Sequence, residues 1–173
     1  ISNLLDDMMD LSKIEEGKID LNKEDINVNL LAEEMIRRTQ MRASQKGLDL
    51  HLDVPNSPTY LYCDKSRMEQ IFTNLIENAV RYTEKGEISL TVQESTDAIP
   101  ISIADTGIGI KKEDIPYLFE RFYRVDKSRS RAHGGTGLGL SIVKNLIELH
   151  DGKIEVNSEV NEGTTIILTF PKK

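Results

Sequence analysis

The sequence predicts an α+β fold, a two-layer sandwich of helices against a sheet. Helical and strand-like periodicities are intermixed along the chain rather than alternating in regular β-α units. The chain also closes on two strands around a Glu162-Gly163 turn, which marks an antiparallel hairpin and disfavours a doubly wound parallel sheet. Finally, Asp64 to Thr83 reads as one helix whose Met68, Ile71, Phe72, Leu75, Ile76 and Ala79 form a single apolar stripe for a core.

The elements follow in order. Ile1, Leu4, Met8 and Leu11 form a heptad-like seam, widened by Leu5 and Met9 and ended near Gly17. Two readings stand: a helix whose packing partner lies outside the chain, or an amphipathic helix folded back on this domain. Leu21 to Ile26 reads as an edge strand. Asn27 caps a helix over Val28 to Gln45, with Leu31, Met35 and Ile36 inward and Gly47 as its stop. Leu48, Leu50, Leu52 and Val54 alternate with polar residues, the period of a half-buried strand, with His51 on its polar side. After the Pro55–Pro58 turn, Thr59 to Cys63 is a short strand feeding the helix that Asp64 caps. Strands follow at Glu87 to Gln93 and Ile99 to Ala104, then a short helix within Lys111 to Phe122 and an aperiodic loop over Tyr123 to Gly135. A helix over Gly137 to His150 and strands at Ile154 to Val156 and Thr165 to Phe170 complete the chain.

The 173 residues fit one domain of ordinary size with a short appendage. A net charge of -7 argues against a general nucleic-acid surface. The single Cys rules out an internal disulfide and a cysteine zinc cluster. Apolar runs are too short to span a bilayer, and no signal-peptide pattern is present. The chain opens at Ile1 already in helical periodicity, so it reads as a piece of a longer protein.

Three constellations carry chemistry. On the central helix, Asn74, Asn78 and Arg81 lie on a line roughly 90° or more from the apolar stripe, with Tyr82 between the two. Two amides, a cation and a phenol beside a buried face suit a charged ligand at the edge of a core, the alternative being a solvated face. Asp105 sits where a strand runs into Gly107 and Gly109. There a carboxylate can accept from an exocyclic amine while the glycines allow close backbone approach, although the same residues also suit a plain turn. Gly135-Thr136-Gly137-Leu138-Gly139 opens a helix, and free N–H groups at a helix start bind phosphate. A dinucleotide-binding turn is excluded, because an irregular basic loop precedes these glycines and the third comes one residue early. That loop, Glu120 to Gly135, sets Arg121, Arg124, Lys127, Arg129 and Arg131 against Glu120 and Asp126, which favours a flap over polyphosphate.

Taken in order, Asn74-x-x-x-Asn78-Ala79-x-Arg81-Tyr82-Thr83, Asp105-Thr106-Gly107-x-Gly109, Phe119-Glu120-Arg121-Phe122-Tyr123-Arg124 and Gly135-Thr136-Gly137-Leu138-Gly139-Leu140 closely resemble the catalytic ATP-binding domain of bacterial sensor histidine kinases. The resemblance covers about residues 24 to 173. It implies a Bergerat-type sandwich with helices on one face of a mixed sheet and a mobile ATP lid over about 119–136. Leu4 to Glu15 is similar to the end of the second helix of that family's dimerisation and phosphoacceptor hairpin, which would make 1–19 an appendage.

By the same resemblance Asp105 binds the adenine amine with Thr164 near the base, and Asn78, assisted by Asn74, holds Mg²⁺ through hard oxygen. Arg81, where the family more often has Lys, would contact phosphates together with Tyr82 and Arg124. The backbone around Gly135, Thr136, Gly137, Leu138 and Gly139 would cradle the phosphates, and Phe119 and Phe122 would seat the lid. Related gyrase, mismatch-repair and chaperone ATPases place a water-activating Glu where this chain has Asn74. An amide accepts no proton at neutral pH, which favours phosphoryl transfer from Mg·ATP to a histidine over hydrolysis.

None of His51, His133 and His150 has the context of that family's phosphoacceptor, so the acceptor is expected on a dimerisation domain outside this chain. The resemblance further implies a homodimeric parent, a response regulator as partner, and a cytoplasmic location beneath a membrane sensor. A nucleotide-binding module without catalysis and a serine-directed kinase of the anti-sigma type are the competing readings. Cys63, beside a helix N-terminus, is either a packed thiol or one made acidic enough for redox sensing.

Overall fold

The computed structural model describes residues 2–125 and 135–172, the side chains of residues 2 and 3 excepted. Its elements are α1 (Ser2–Glu15), β1 (Lys23–Asn27), α2 (Val28–Lys46), β2 (Asp49–Asp53), β3 (Tyr60–Asp64), α3 (Lys65–Tyr82), β4 (Glu87–Val92), β5 (Ala98–Asp105), α4 (Gly139–Leu149), β6 (Lys153–Glu159) and β7 (Gly163–Pro171). Five strands form one mixed sheet in the order β2-β4-β5-β7-β6. Only β2 and β4 run parallel; the other pairings are antiparallel. Helices α2, α3 and α4 lie on one face of this sheet, which is the α+β sandwich expected from the sequence.

The caps explain where the helices begin and end. Asn27 accepts from the N–H groups of Asn29 and Leu30, and Gly47 takes a left-handed φ of 71° to close α2. Asp64 accepts from Arg67 N at 3.2 Å to open α3. The stripe on α3 is fully buried, joined by Val80, against Ile88, Leu90, Ile99, Ile101, Leu168 and Phe170 of the sheet.

Three expectations change. The edge strand expected at Leu21 to Ile26 runs over Lys23–Asn27 and lies in a separate two-stranded ribbon, paired antiparallel with β3. The helix within 111–122 shrinks to a single 3₁₀ turn at Ile115–Tyr117, where Pro116 tightens the chain. The strand at Ile154 extends to Lys153–Glu159, its alternation running further than three residues.

Helix α1 folds back on the domain along part of its seam. Leu11 is buried against the domain and Ile14 packs on the core, while Leu4, Leu5, Met8 and Met9 stay exposed. Asp10 reaches Arg67 at 3.6 Å and accepts from Gln70 at 3.1 Å, and Glu15 pairs with Arg121.

Candidate nucleotide site

A cavity of about 640 Å³ opens between α3, the C-terminal end of β5, β7 and the start of α4. Its floor is apolar, with Leu75, Ile103, Ile108, Val156 and Ile166, and its mouth carries Asn74, Asn78, Arg81, Tyr82 and Arg124. An apolar slot with a few polar groups converging on it suits a flat heterocycle with a charged tail.

Asp105 ends β5 opposite Thr164 of β7 in the strand register. Its Oδ1 accepts from Gly107 N at 2.9 Å and from Thr164 N at 3.3 Å, while no described donor meets Oδ2. Burial pushes this carboxyl above its ordinary range, against the lowering effect of the two N–H groups. One oxygen thus fixes the orientation and the other is left to accept from a ligand.

The neighbouring glycines are fixed by close approach within the chain itself. A Cβ on Gly107 would collide with the Tyr82 carbonyl and crowd Thr83 Oγ1. A Cβ on Gly109, which has φ 71°, would run into the backbone of Glu159. Both are therefore required by packing within the chain, and only Gly109 reaches the cavity wall. The Thr83 hydroxyl is fully buried beside Gly107 without a protein partner among the described residues.

At the other end, Arg81 Nη1 donates to Asn78 Oδ1 at 3.1 Å. A methyl group built on Gly135 would stand 3.1 Å from Arg81 Nη1 and 3.9 Å from Arg124 Nη2, so two guanidinium groups flank the glycine turn. Gly139 faces Asn74, whose Oδ1 would lie 3.6 Å from an added Cβ there. Leu138, expected to contribute backbone to the phosphate cradle, sends a fully buried side chain into the core. Thr136 turns its hydroxyl to α1, donating to Asp7 Oδ2 at 2.9 Å while accepting from Leu138 N at 3.2 Å.

Asp6 and Asp7 thereby line the cavity, a contribution that sequence reading missed. Of the two aromatics expected to seat the lid, Phe119 lines the cavity. Phe122 is 59% exposed and joins the glycine turn only through its backbone N–H to Gly137 O at 2.9 Å. Tyr123, also unforeseen, donates to Asp114 at 2.6 Å and pins the segment ahead of the loop. Lys127, Arg129, Arg131 and His133 of the expected lid lie outside the described residues.

The residues present fit an adenine nucleotide, through the open Asp105 oxygen above an apolar floor and the cationic mouth. They also fit a magnesium ion shared with phosphate, since Asn78 and Asn74 offer neutral hard oxygens. Among the described residues no cluster of three or more His, Cys, Asp or Glu forms a metal site.

Glu77 is tied to Arg42 at 2.5 Å on the side facing α2. His150 is buried with both nitrogens engaged: Nδ1 donates to Leu146 O at 2.7 Å and Nε2 accepts from Asp64 N at 3.1 Å. Cys63 is fully buried and its thiol is pushed up to about 12 by burial, with Asp64 and Glu24 adding to the rise. The acidic, redox-sensing thiol considered from sequence is thereby overturned, because desolvation outweighs the helix terminus.

Residues 63–173 match a family described as histidine kinase-, DNA gyrase B-, and HSP90-like ATPase. The chain is 40% identical over 179 aligned residues to hybrid signal transduction histidine kinase L of Dictyostelium discoideum, covering 98% of this chain and 10% of that protein. It is 38% identical over 173 residues to sensor protein SrrB of Staphylococcus aureus, covering 99% of this chain and 30% of that one. The chain therefore spans a minor part of these curated relatives. Among solved structures, full-length ShkA in complex with AMPPNP superposes with a TM-score of 0.87 at 27% identity, over 98% of this chain and 35% of that one. The histidine kinase AdeS of Acinetobacter baumannii gives 0.82 at 28% identity, over 98% and 77%.

Proposed function

The chain belongs to the histidine kinase-, DNA gyrase B- and HSP90-like ATPase family, as an ATP-binding catalytic domain of the histidine-kinase kind, and we propose that it presents Mg·ATP to a histidine supplied by another segment. The observation that carries this reading is the disposition of Asp105. One oxygen is held by two backbone N–H groups and the other is free in a largely apolar slot that Arg81 and Arg124 also line. Asp105 accepts from the exocyclic amine of adenine, and Thr164 stands beside the base. Arg81 and Arg124 draw the phosphates toward the glycine turn. Asn78 and Asn74 would hold magnesium through their amide oxygens, and the ion would supply charge neutralisation to the phosphates.

Asn78 Oδ1 accepts from Arg81 and keeps a second lone pair for a cation, while a triphosphate gives that guanidinium a stronger acceptor. In the transfer itself, the bond from the γ-phosphorus to the bridging oxygen breaks as a P–N bond to the imidazole forms. ADP leaves and the imidazole proton passes to solvent. Asn74 cannot take a proton from water and Glu77 is held by Arg42, which disfavours hydrolysis. Alignment and charge neutralisation supply the catalysis.

His150 has no free nitrogen, and His51 is exposed on a strand, 3.1 Å from Glu87. His133 lies outside the described residues. From the family resemblance we assign the acceptor to a dimerisation hairpin whose second helix ends in α1, within a homodimeric parent that relays phosphate to a response regulator. Among the described residues no helix is long and apolar enough to cross a membrane. By its likeness to sensor protein SrrB we take the chain for the cytoplasmic part of a membrane sensor.

The test incubates the purified chain with radiolabelled Mg·ATP, alone and with a separately purified phosphoacceptor hairpin from a histidine kinase. Acid-labile, alkali-stable label on the hairpin, with none on the chain alone, is expected. Label on the chain itself, brisk release of inorganic phosphate, or no transfer to the hairpin would refute the reading.

A further inference from the structure

Ser158, on β6, touches the base end of the cavity only through its neighbours, yet its hydroxyl meets three groups at once. It donates to Gly163 O at 2.9 Å, accepts from Ile110 N at 2.7 Å, and lies 2.8 Å from Thr164 Oγ1. A hydroxyl has one proton and two lone pairs, so these contacts fix every hydrogen. The Gly163 carbonyl can only accept, which claims the Ser158 proton. The Ile110 N–H can only donate, which fills one lone pair. The remaining lone pair must therefore receive the Thr164 proton.

Thr164 is 9% exposed at the cavity wall, across the strand pair from Asp105, and its backbone N–H already goes to Asp105 Oδ1 at 3.3 Å. With its hydroxyl proton turned away toward Ser158, Thr164 Oγ1 meets a ligand with lone pairs alone. Asp105 Oδ2 beside it also only accepts. The two groups that read the base thus share one polarity.

We propose that Ser158 is a positioning residue for nucleotide selection: by holding the Thr164 proton it keeps the base-reading edge acceptor-only, so that a purine with an amine at position 6 is favoured over one with a carbonyl there. This rests on the adenine-nucleotide reading of the site and adds to it the origin of base discrimination. With Thr164 Oγ1 set against position 6, as this proposal has it, an edge that only accepts repels a carbonyl there, since neither partner brings a hydrogen, whatever the ring nitrogen one atom away carries. Once freed, the Thr164 hydroxyl can rotate and donate to a carbonyl.

The experiment measures affinity for ATP and for inosine triphosphate, each with magnesium, by calorimetric titration of the purified chain. Inosine differs from adenosine at that position by a carbonyl for the amine and by a proton on the adjacent ring nitrogen. The parent chain should prefer ATP, and Ser158→Ala should narrow that preference by about three- to tenfold, the worth of one hydrogen bond. Ser158→Thr, which keeps a hydroxyl, should restore it. In a Thr164→Val background no proton remains to redirect, so adding Ser158→Ala should leave the ratio unchanged.

Ser158→Cys, nearly isosteric and a weak acceptor, gives the same narrowing if the alanine variant does not fold. An unchanged ratio in the folded Ser158 variants, or the same narrowing with Thr164→Val already in place, would overturn the assignment. An Asp105→Asn chain titrated alongside separates the two claims. Undiminished ATP binding there removes the site reading itself, whereas weakened binding there with an unmoved Ser158 ratio removes only the role of Ser158.

Discussion

Replacing Asp105 by Asn reverses one atom of the site while keeping its shape. The carbonyl oxygen of Asn can accept from Gly107 N and Thr164 N as Oδ1 does now, at 2.9 and 3.3 Å. The amide nitrogen then falls where Oδ2 stood, and an acceptor aimed into the cavity becomes a donor facing the N–H of adenine. Losing a hydrogen bond to a charged group costs about 1.5–3 kcal/mol. At 1.4 kcal/mol per tenfold, that corresponds to a Kd weaker by roughly ten- to 150-fold.

Stability should not follow affinity. Burial raises the Asp105 carboxyl more than its two N–H partners lower it, so its folded pKa lies above the unfolded one. The stability this group contributes is full below the unfolded value and is lost as pH rises through the folded one. At neutral pH the Asn variant should therefore melt no lower than the parent. Titration with magnesium and a non-hydrolysable ATP analogue, beside a melt of the ligand-free chain, reads both effects. Affinity within about twofold of the parent, or a loss only in step with a collapsed melting temperature, would refute the reasoning.

The remaining predictions concern the histidine behind α3, the core and α1. Burial lowers His150 below its ordinary value, so its contribution is present above the unfolded pKa of about 6.5 and is lost as pH falls through the folded one. Denaturation midpoints should drop on acidification from neutrality, and His150→Gln should flatten that dependence. Phe72 is fully buried on α3, so Phe72→Ala should cost about 3–5 kcal/mol in chemical denaturation. The corresponding fall in Tm is roughly 6–20 °C. Asp7→Asn leaves an oxygen for Thr136 but removes a negative charge from the cavity wall. Affinity for the ATP analogue should rise about two- to fivefold at low ionic strength and the gain should shrink in salt; a salt-independent result would contradict a charge effect.

The sheet and its helical cover were legible because their signals are local. The Asn27 and Asp64 caps, the α3 stripe and the alternation through Leu48 to Val54 each follow from a single window of sequence. The site was legible for a different reason: Asn74, Asn78 and Arg81 share a helix face, and Asp105 stands at a strand end followed by glycines. What escaped depends on register and on packing across distant segments. That Gly109 must lie under Glu159, that Thr136 turns to Asp7, and that Ser158 sits between Ile110 and Thr164 all require the third dimension. That the Leu138 side chain fills the core beneath the glycine turn was not legible, because flanking glycines speak only for backbone. Between the two readings of Cys63 the structure selects the packed thiol, because the helix terminus was visible in the sequence and the depth of burial was not.

The last strand of the chain is not the last strand of the sheet. β7 enters between β5 and β6 and supplies Thr164 to the pocket. Until β7 joins them, β5 and β6 therefore present unpaired edges. A pocket that binds nucleotide accordingly has β7 in place. A chain cut between β6 and β7 would be left with sticky edges and half a binding pocket.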